Sequence, residues 1–139
     1  MKKHNEQCRP YIEELDISKT WDNKSMCDLI IKRLKKLKIY RPNILFRGFD
    51  GAKTEIVKQH GSDTPQRSTI WCSSEKEFIN EYGIDESALD YATYYEDRAA
   101  LSIYDGDKLT QRKDDLECQY RPKKGTNLKE ALLIIFLLK

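Results

Sequence analysis

Three polar residues, Arg47, Ser73 and Glu130, stand at points where the sequence predicts that a strand begins or ends. Arg47 closes an apolar stretch and is followed by Gly48, and a guanidinium in such a place can hold an anion. Ser73 lies where a strand gives way to a helix, and Glu130 opens the most apolar segment of the chain. An ionised carboxylate at the mouth of a buried strand needs partners, and an arginine and a serine are suitable ones. The three residues therefore form a candidate site.

Two predicted strands and a capped helix would position the first two of these residues. Residues 43–49 and 69–73 are predicted as strands because β-branched, aromatic and aliphatic residues dominate them. Ser74 is followed three positions later by Glu77, a capping-box pattern that predicts the start of a helix. Residues 50–67 form a long loop, and a loop of this length in a compact domain is usually functional or disordered.

A second helix is predicted to begin at Ser25, as its N-cap, and to stop at Pro42. Its apolar residues recur at spacings of three and four, which predicts one buried stripe. The opposite face carries the cations Lys32, Arg33, Lys35, Lys36 and Lys38. A solvated helix face is the favoured interpretation, because cations near a helix C-terminus are stabilised by the helix dipole. The alternative is a site for phosphate, nucleic acid or a membrane surface.

The remaining segments predict an α+β fold with small mixed or antiparallel sheets and flanking helices. Residues 129–138 lack polar alternation, so they are predicted as a central strand covered on both faces. The other expectations are a short helix at 11–15, a helical turn at 55–59, a helix from residue 85, a strand at 100–104 and irregular chain at 107–127. We expect a loosely ordered N-terminal segment at 1–20 and a single domain at 21–139.

Length, charge and cysteine usage exclude several classes of protein. The 139 residues suit one domain, and the net charge of +2 argues against a dedicated nucleic-acid binder. The four cysteines are not arranged in CxxC pairs, so no zinc site is expected. No apolar run reaches the roughly 20 residues that span a bilayer. The polar start predicts a cytoplasmic protein, or one delivered to a host cell by a signal-less route.

The order of these segments resembles the ADP-ribosyltransferase superfamily, in its Arg-Ser-Glu branch. The resemblance spans about residues 44 to 139 and implies an ADP-ribosyltransferase-like fold with NAD as substrate. It rests on Leu45-Phe46-Arg47-Gly48, Trp71-Cys72-Ser73-Ser74 and Glu130-Ala131-Leu132-Leu133, with Ala100-Leu101-Ser102-Ile103-Tyr104-Asp105 similar to an intermediate strand of small members. His60-Gly61-Ser62 matches the letters of a histidine-type branch, but it falls in the predicted loop and ranks lower.

The resemblance implies a role for each matching residue. Glu130 would stabilise the oxocarbenium-like cation that forms when the nicotinamide–ribose bond of NAD breaks. Arg47 would clamp phosphate or ribose oxygens, and Ser73 would orient Glu130. The NAD-binding residues would be Arg47, Gly48, Ser74, Trp71 and Tyr94, with Trp71 or Tyr94 stacked on nicotinamide.

The resemblance also bears on the target and on the class of enzyme. It implies a transferase or NAD glycohydrolase of toxin or effector type that modifies a macromolecule, with a protein favoured over nucleic acid. Leu128 occupies the position where arginine-modifying members carry an acidic residue, which counts against arginine as the acceptor. The choice between Ser73 and Ser74 stays open.

Two other functions fit the same residues. In the second hypothesis Arg47 forms a structural ion pair, the serines only cap a helix and Glu130 is a strand-edge residue. The chain would then be a small cytosolic interaction or inhibitor protein that binds a protein partner through the basic helix and exposed tyrosines. A third hypothesis is an enzyme acting on RNA or nucleotide phosphates through Arg47, His60 and Arg67. The oligomeric state is not predicted by any of these patterns.

Overall fold

A computed structural model of the chain describes residues 11–18, 22–67, 69–80, 98–111 and 119–138. Within these ranges the chain forms eight strands and four α-helices. The strands are β1 Tyr11–Leu15, β2 Ile44–Asp50, β3 Ile70–Trp71, β4 Ser73–Ser74, β5 Ala99–Asp105, β6 Leu109–Gln111, β7 Gln119–Pro122 and β8 Leu132–Leu138. The helices are α1 Asn23–Lys36, α2 Thr54–His60, α3 Glu75–Asn80 and α4 Leu128–Ala131, and 3-10 turns lie at Gly51–Lys53 and Gly106–Lys108.

The strands form two sheets, which confirms the α+β class. The large sheet has five strands in the order β1-β8-β5-β2-β4, and the small sheet has three in the order β3-β7-β6. Only the β1–β8 pair is parallel among the described pairs. No helix in the described ranges is long and apolar enough to cross a membrane.

The large sheet is buried on both faces. On one face Phe46 and neighbouring strand residues pack with Ile30 and Leu34 of α1 and with Phe78 of α3. The rings of Phe46 and Phe78 meet edge to face with centroids 4.5 Å apart. On the other face the sheet packs with α2, α4 and the small sheet through a second cluster: Leu45, Phe49, Val57, Ile70, Cys72, Ala100, Tyr104, Leu109, Ala131, Leu132 and Ile135. Phe46 and Leu45 lie on opposite faces because successive side chains of a strand point to opposite sides of the sheet.

Strand β8 confirms the expectation of a central strand, with one correction at its start. It lies between β1 and β5, and Ile134 and Ile135 belong to the clusters on opposite faces of the sheet. The strand begins at Leu132, however, and the preceding residues form α4. The expectation that Glu130 opens this strand is therefore wrong. Asn127 caps α4, and this capping signal takes precedence over the apolar run that follows it.

Helix α1 is present, but both of its ends differ from the prediction. Its N-cap is Asp22, and Ser25 is the third helical residue of a capping box with Asp22. The helix ends at Lys36, and Lys38 adopts a left-handed φ of 64°. The chain thus leaves the helix before Pro42, through a left-handed residue rather than through proline.

Other differences lie in short strands. Residues Tyr11–Leu15 form the edge strand β1, where a short helix was expected; pairing with the apolar β8 outweighs the weak local signal. The expected strand at 69–73 is divided at Cys72 between the two sheets. Strands β6 and β7 lie in the part expected to be irregular. Residues 1–10 of the expected N-terminal segment and the helix expected to begin at residue 85 lie outside the described residues.

Candidate functional site

Arg47 lies on β2 between the two sheets, and the fold itself holds its guanidinium. Nε and Nη2 donate to the same carboxylate oxygen of Asp63, at 3.1 Å and 2.9 Å, and Nη1 donates to the carbonyl of Trp71 at 3.0 Å. The Arg47 side chain is 12% exposed and that of Asp63 is 9% exposed. A charge this well buried requires such partners. Arg47 therefore joins the strand to the loop after α2 and to β3.

Electrostatics keep Arg47 charged in this place. Burial by itself would lower the pKa of its guanidinium, but the negative charge of Asp63, with smaller effects of Tyr104 and Cys72, raises that pKa above its ordinary value. Cys72 lies between β3 and β4 and is buried in the same apolar cluster as Leu45. The site is thus a charge pair inside an apolar layer, not an open anion-binding cleft.

The loop after α2 places Asp63 beside Arg47. The Tyr104 hydroxyl donates to the Gly61 carbonyl at 2.5 Å, and the Thr64 amide donates to the Ser62 hydroxyl at 3.2 Å. Burial raises the pKa of Tyr104, so its phenol stays a neutral donor. Gly61 has a φ of 93°, and a Cβ there would lie 2.5 Å from the Lys129 amide nitrogen. Only glycine allows the loop to approach α4 this closely.

The two serines face opposite sides of the large sheet. Ser73 pairs with Phe46, and Ser74 pairs with Leu45. Directly paired residues of antiparallel strands project to the same face, so Ser73 lies on the face covered by α1 and α3. Arg47 projects to the other face, together with Leu45 and Ser74. The structure therefore separates Ser73 from Arg47 by the thickness of the sheet.

Ser74 confirms the capping box predicted from the sequence. The Ser74 amide donates to Oε1 of Glu77 at 2.8 Å, and the Glu77 amide donates to the Ser74 hydroxyl at 3.2 Å. These two bonds satisfy backbone groups at the start of α3. The hydroxyl of Ser74 is thus a helix cap, although it lies on the same face of the sheet as Arg47.

Glu130 performs the same task for α4. Its Oε1 accepts from the Asn127 amide at 2.9 Å, and its own amide donates to Oδ1 of Asn127 at 2.9 Å. Arg47 shares a row of the sheet with Ser102 and Ile135, whereas Glu130 precedes the start of β8 and is exposed. The structure therefore does not join Arg47, Ser73 and Glu130 into one constellation. Each residue bonds to a different part of the fold.

The remaining predicted residues are dispersed. Gly48 is a buried position of β2 paired with Leu101. Trp71 is 45% exposed, and its carbonyl holds Arg47 while its ring faces away from the buried Ile70. His60 is exposed at the end of α2. Tyr94 lies outside the described residues, and Arg67 is exposed in the loop before β3.

Exposed cations line α1 and the turn after it. Lys32, Lys35, Lys36 and Lys38 are exposed, and none forms an ion pair with the described residues. Arg33 differs, because its Nε and Nη2 donate to the two carboxylate oxygens of Glu13 on β1, at 2.7 Å and 3.0 Å. We call Lys32, Lys35, Lys36 and Lys38 the lysine face. Lys35 also lies over the ring of Tyr40, 5.0 Å from its centroid.

Asp63 is the residue of this region that sequence reasoning missed. It lies 16 positions after Arg47 in a polar loop, and no local spacing links an arginine on a strand to an acid there.

No group of three or more His, Cys, Asp or Glu side chains suited to a metal occurs within the described ranges. Comparison of the chain with models of protein families, with curated proteins and with solved structures finds no match.

Proposed function

We propose that the chain is a non-catalytic interaction protein that binds an acidic surface of a protein partner through the lysine face of α1. One observation carries the proposal: four lysines are exposed without an ion pair to the described residues, whereas Arg47, Ser74 and Glu130 bond within the fold. Lys32, Lys35 and Lys36 are spaced by three and four residues, so their side chains are neighbours on one stripe. An acidic partner relieves the repulsion among such like charges.

The lysine face stands on a rigid support. Ile30 and Leu34 anchor α1 in the core, and Asp22 caps its start. Arg33 ties the same helix to Glu13 of β1 through two bonds. The helix dipole accounts for cations in the last turn, but its effect falls off within that turn and does not account for Lys32. Rigid positioning of several cations favours fast and selective encounter with an acidic partner.

Charge reversal tests the proposal directly. The triple change Lys32→Glu, Lys35→Glu, Lys36→Glu is compared with Lys53→Glu, Lys58→Glu, Lys76→Glu, which alters the net charge equally at other exposed lysines. We expect the first variant to lose capture of the partners that the tagged wild-type chain retains from lysate at 150 mM salt, and the second to keep them. Equal capture by both triple variants would remove the lysine face as the binding site.

The proposal places the protein in the cytoplasm. Cys27 and Cys72 are buried thiols that form no disulfide among the described residues, which suits a reducing compartment. Burial, with smaller effects of Glu75 and Asp28, raises the pKa of the Cys27 thiol to about 12, so this thiol stays protonated and unreactive.

An NAD-dependent ADP-ribosyltransferase or NAD glycohydrolase of ADP-ribosyltransferase-like fold is the second candidate. What favours it is that Arg47, Gly48 and Ser74 lie on neighbouring strands in the expected order, with Arg47 and Ser74 on one face. In this candidate a ligand phosphate would have to displace Asp63 from Arg47, and the carboxylate of Glu130 would have to leave its cap. Both exchanges cost hydrogen bonds that the fold now makes.

Transfer of labelled ADP-ribose tests the second candidate. The wild-type chain is incubated with labelled NAD and lysate, beside Arg47→Ala and Glu130→Gln. Labelling of a protein by the wild type that Glu130→Gln abolishes would support the enzyme. Absence of both labelling and NAD binding would leave the interaction protein as the function.

A further inference from the structure

The outer face of the small sheet combines an exposed aromatic ring with a positively charged arginine. Trp71 pairs with Gln119, and Arg121 pairs with Thr110, so these four residues share one face of the sheet. Ile70 and Leu109 project to the opposite face and are buried. Trp71 is 45% exposed, the highest value among the exposed large hydrophobic side chains of the described residues. We call Trp71, Thr110, Gln119 and Arg121 the outer face.

Among the described residues, the charged side chains of the outer face and of the turn after β7 are positive. Arg121 is exposed and forms no ion pair with the described residues. Lys123 and Lys124 follow in the turn after β7, and both are exposed. The Lys123 amide donates to the Lys108 carbonyl at 3.0 Å, so the ladder between β6 and β7 continues to this point. No acidic residue occupies any of the four positions of the outer face.

We propose that the outer face binds single-stranded nucleic acid, with a base stacked on Trp71 and phosphates held by Arg121 and the lysines after β7. Stacking on an aromatic ring beside basic side chains is how many proteins hold unpaired bases without reading their sequence. Trp71 and Arg121 are diagonal neighbours across β3 and β7, and such neighbours lie about 7–8 Å apart, within reach of long side chains. One nucleotide can therefore place its base on the ring and its phosphate at the guanidinium.

The backbone holds Trp71 in place for this role. Its carbonyl accepts from the buried Arg47 guanidinium at 3.0 Å, and its neighbour Ile70 is buried in the core. The ring is thus presented by a fixed strand rather than by a free loop. An exposed sheet face favours a polymer that makes several weak contacts, because a free mononucleotide needs a concave pocket.

Fluorescence anisotropy with a labelled 12-nucleotide oligouridylate at 150 mM salt tests this binding. We expect a dissociation constant of about 1–100 µM, the range of sequence-independent binding. Trp71→Ala should weaken binding by about 5- to 150-fold, while Trp71→Phe, which keeps a stacking ring, should stay within about threefold. Ile56→Ala, the matched change at another exposed apolar side chain, should have no effect.

A second variant separates charge from stacking and keeps the test valid if Trp71→Ala does not fold. Arg121→Ala should weaken binding and lower the slope of log affinity against log salt by about 0.7, the value for one phosphate contact on a single strand. Lys58→Ala, at an exposed lysine of α2, should leave the slope unchanged.

Three results would overturn the proposal. The first is that the wild type does not bind the oligouridylate. The second is that the Trp71→Ala and wild-type chains bind it with equal affinity. The third is that the wild type binds a 12-base-pair duplex, in which no base is free to stack, as tightly as it binds the oligouridylate. Self-association that Trp71→Ala abolishes, without oligouridylate binding, would instead assign the outer face to a second copy of the chain. The triple change on α1 should keep oligouridylate binding, so failure of the lysine-face proposal and failure of this one are distinguishable.

Discussion

The layer between the two sheets and the outer surfaces of the protein use charged residues in opposite ways. Between the sheets, Arg47 and Asp63 bond to each other, and Arg47 also holds the Trp71 carbonyl. On the surface, Lys36 and Arg121 are exposed and form no ion pair with the described residues. A buried charge must be satisfied by the protein, whereas an exposed charge can be satisfied by a partner. Whether an arginine or lysine supports the fold or is available to a partner therefore depends on its burial and its ion pairs, not on its residue type.

Removal of the Asp63 charge should have the largest effect on stability. In Asp63→Asn the buried Arg47 guanidinium loses its counter-charge, and we expect the free energy of unfolding to fall by about 3–5 kcal/mol. Urea unfolding measures this change. Asp28→Asn is the surface control, since the Lys24–Asp28 pair has side chains 69% and 64% exposed; its effect should stay within about 0.5 kcal/mol. Similar losses in the free energy of unfolding of both variants would contradict the distinction between buried and exposed charges.

Two glycines with positive φ should differ when each is changed to alanine. Gly61 has a φ of 93° and backbone atoms of Leu128 and Lys129 within 3 Å of a Cβ, whereas Gly125 has a φ of 86° and nothing within 4 Å. We expect Gly61→Ala to cost about 3 kcal/mol and Gly125→Ala about 1 kcal/mol, the second from φ alone. Thermal or urea unfolding measures both values. Equal costs would mean that the loop carrying Asp63 is not seated against α4.

The hydroxyl of Tyr104 should matter less than the charge of Asp63. Tyr104→Phe removes the donor to the Gly61 carbonyl and leaves a buried acceptor without it. We expect a loss of about 1–2 kcal/mol in the free energy of unfolding. Tyr40→Phe is a control, because the Tyr40 hydroxyl donates to Glu75 at 3.4 Å in a less buried place. A larger loss in Tyr40→Phe than in Tyr104→Phe would contradict this ranking.

The smallest predicted effect is a pH dependence caused by Cys27. The pKa of its thiol rises from 9.0 to about 12 on folding, because burial disfavours the thiolate. The contribution of Cys27 to the free energy of unfolding is fully present below pH 9 and is lost as pH rises from 9 toward 12. The reason is that the unfolded chain then releases a thiol proton that the folded chain retains. At pH 10 the wild type should have lost about 1 kcal/mol relative to pH 8 through this group. Cys27→Ala should lack this part of the pH dependence, and identical pH profiles would contradict the prediction.

Local patterns predicted the elements that depend on local interactions. The capping box at Ser74 and Glu77, the strand carrying Arg47 and the buried apolar strand β8 all follow from short-range sequence signals. Asn127 and Glu130 carry the same capping signal three residues apart, and that signal could have predicted α4.

Long-range pairings were not predictable in the same way. The bond between Arg47 and Asp63 depends on how a loop folds back over a sheet, and nothing in the spacing of these two residues indicates it. Ser73 faces away from Arg47 because it pairs with Phe46, and a shift of one residue in this register would reverse the face of every side chain in the strand. The order of the three residues in the sequence therefore did not reveal their separation in space.

The central proposal is that Arg47 is held by the fold and does not serve catalysis. Its most direct test is the release of nicotinamide from NAD, followed by proton NMR. The measurement compares the wild type with Arg47→Met combined with Asp63→Leu, a pair replacement that removes both charges and leaves neither unpaired. We expect no release above the protein-free rate for either chain, with lysate present as a source of acceptors. Nicotinamide release by the wild type that the folded double variant lacks would contradict it.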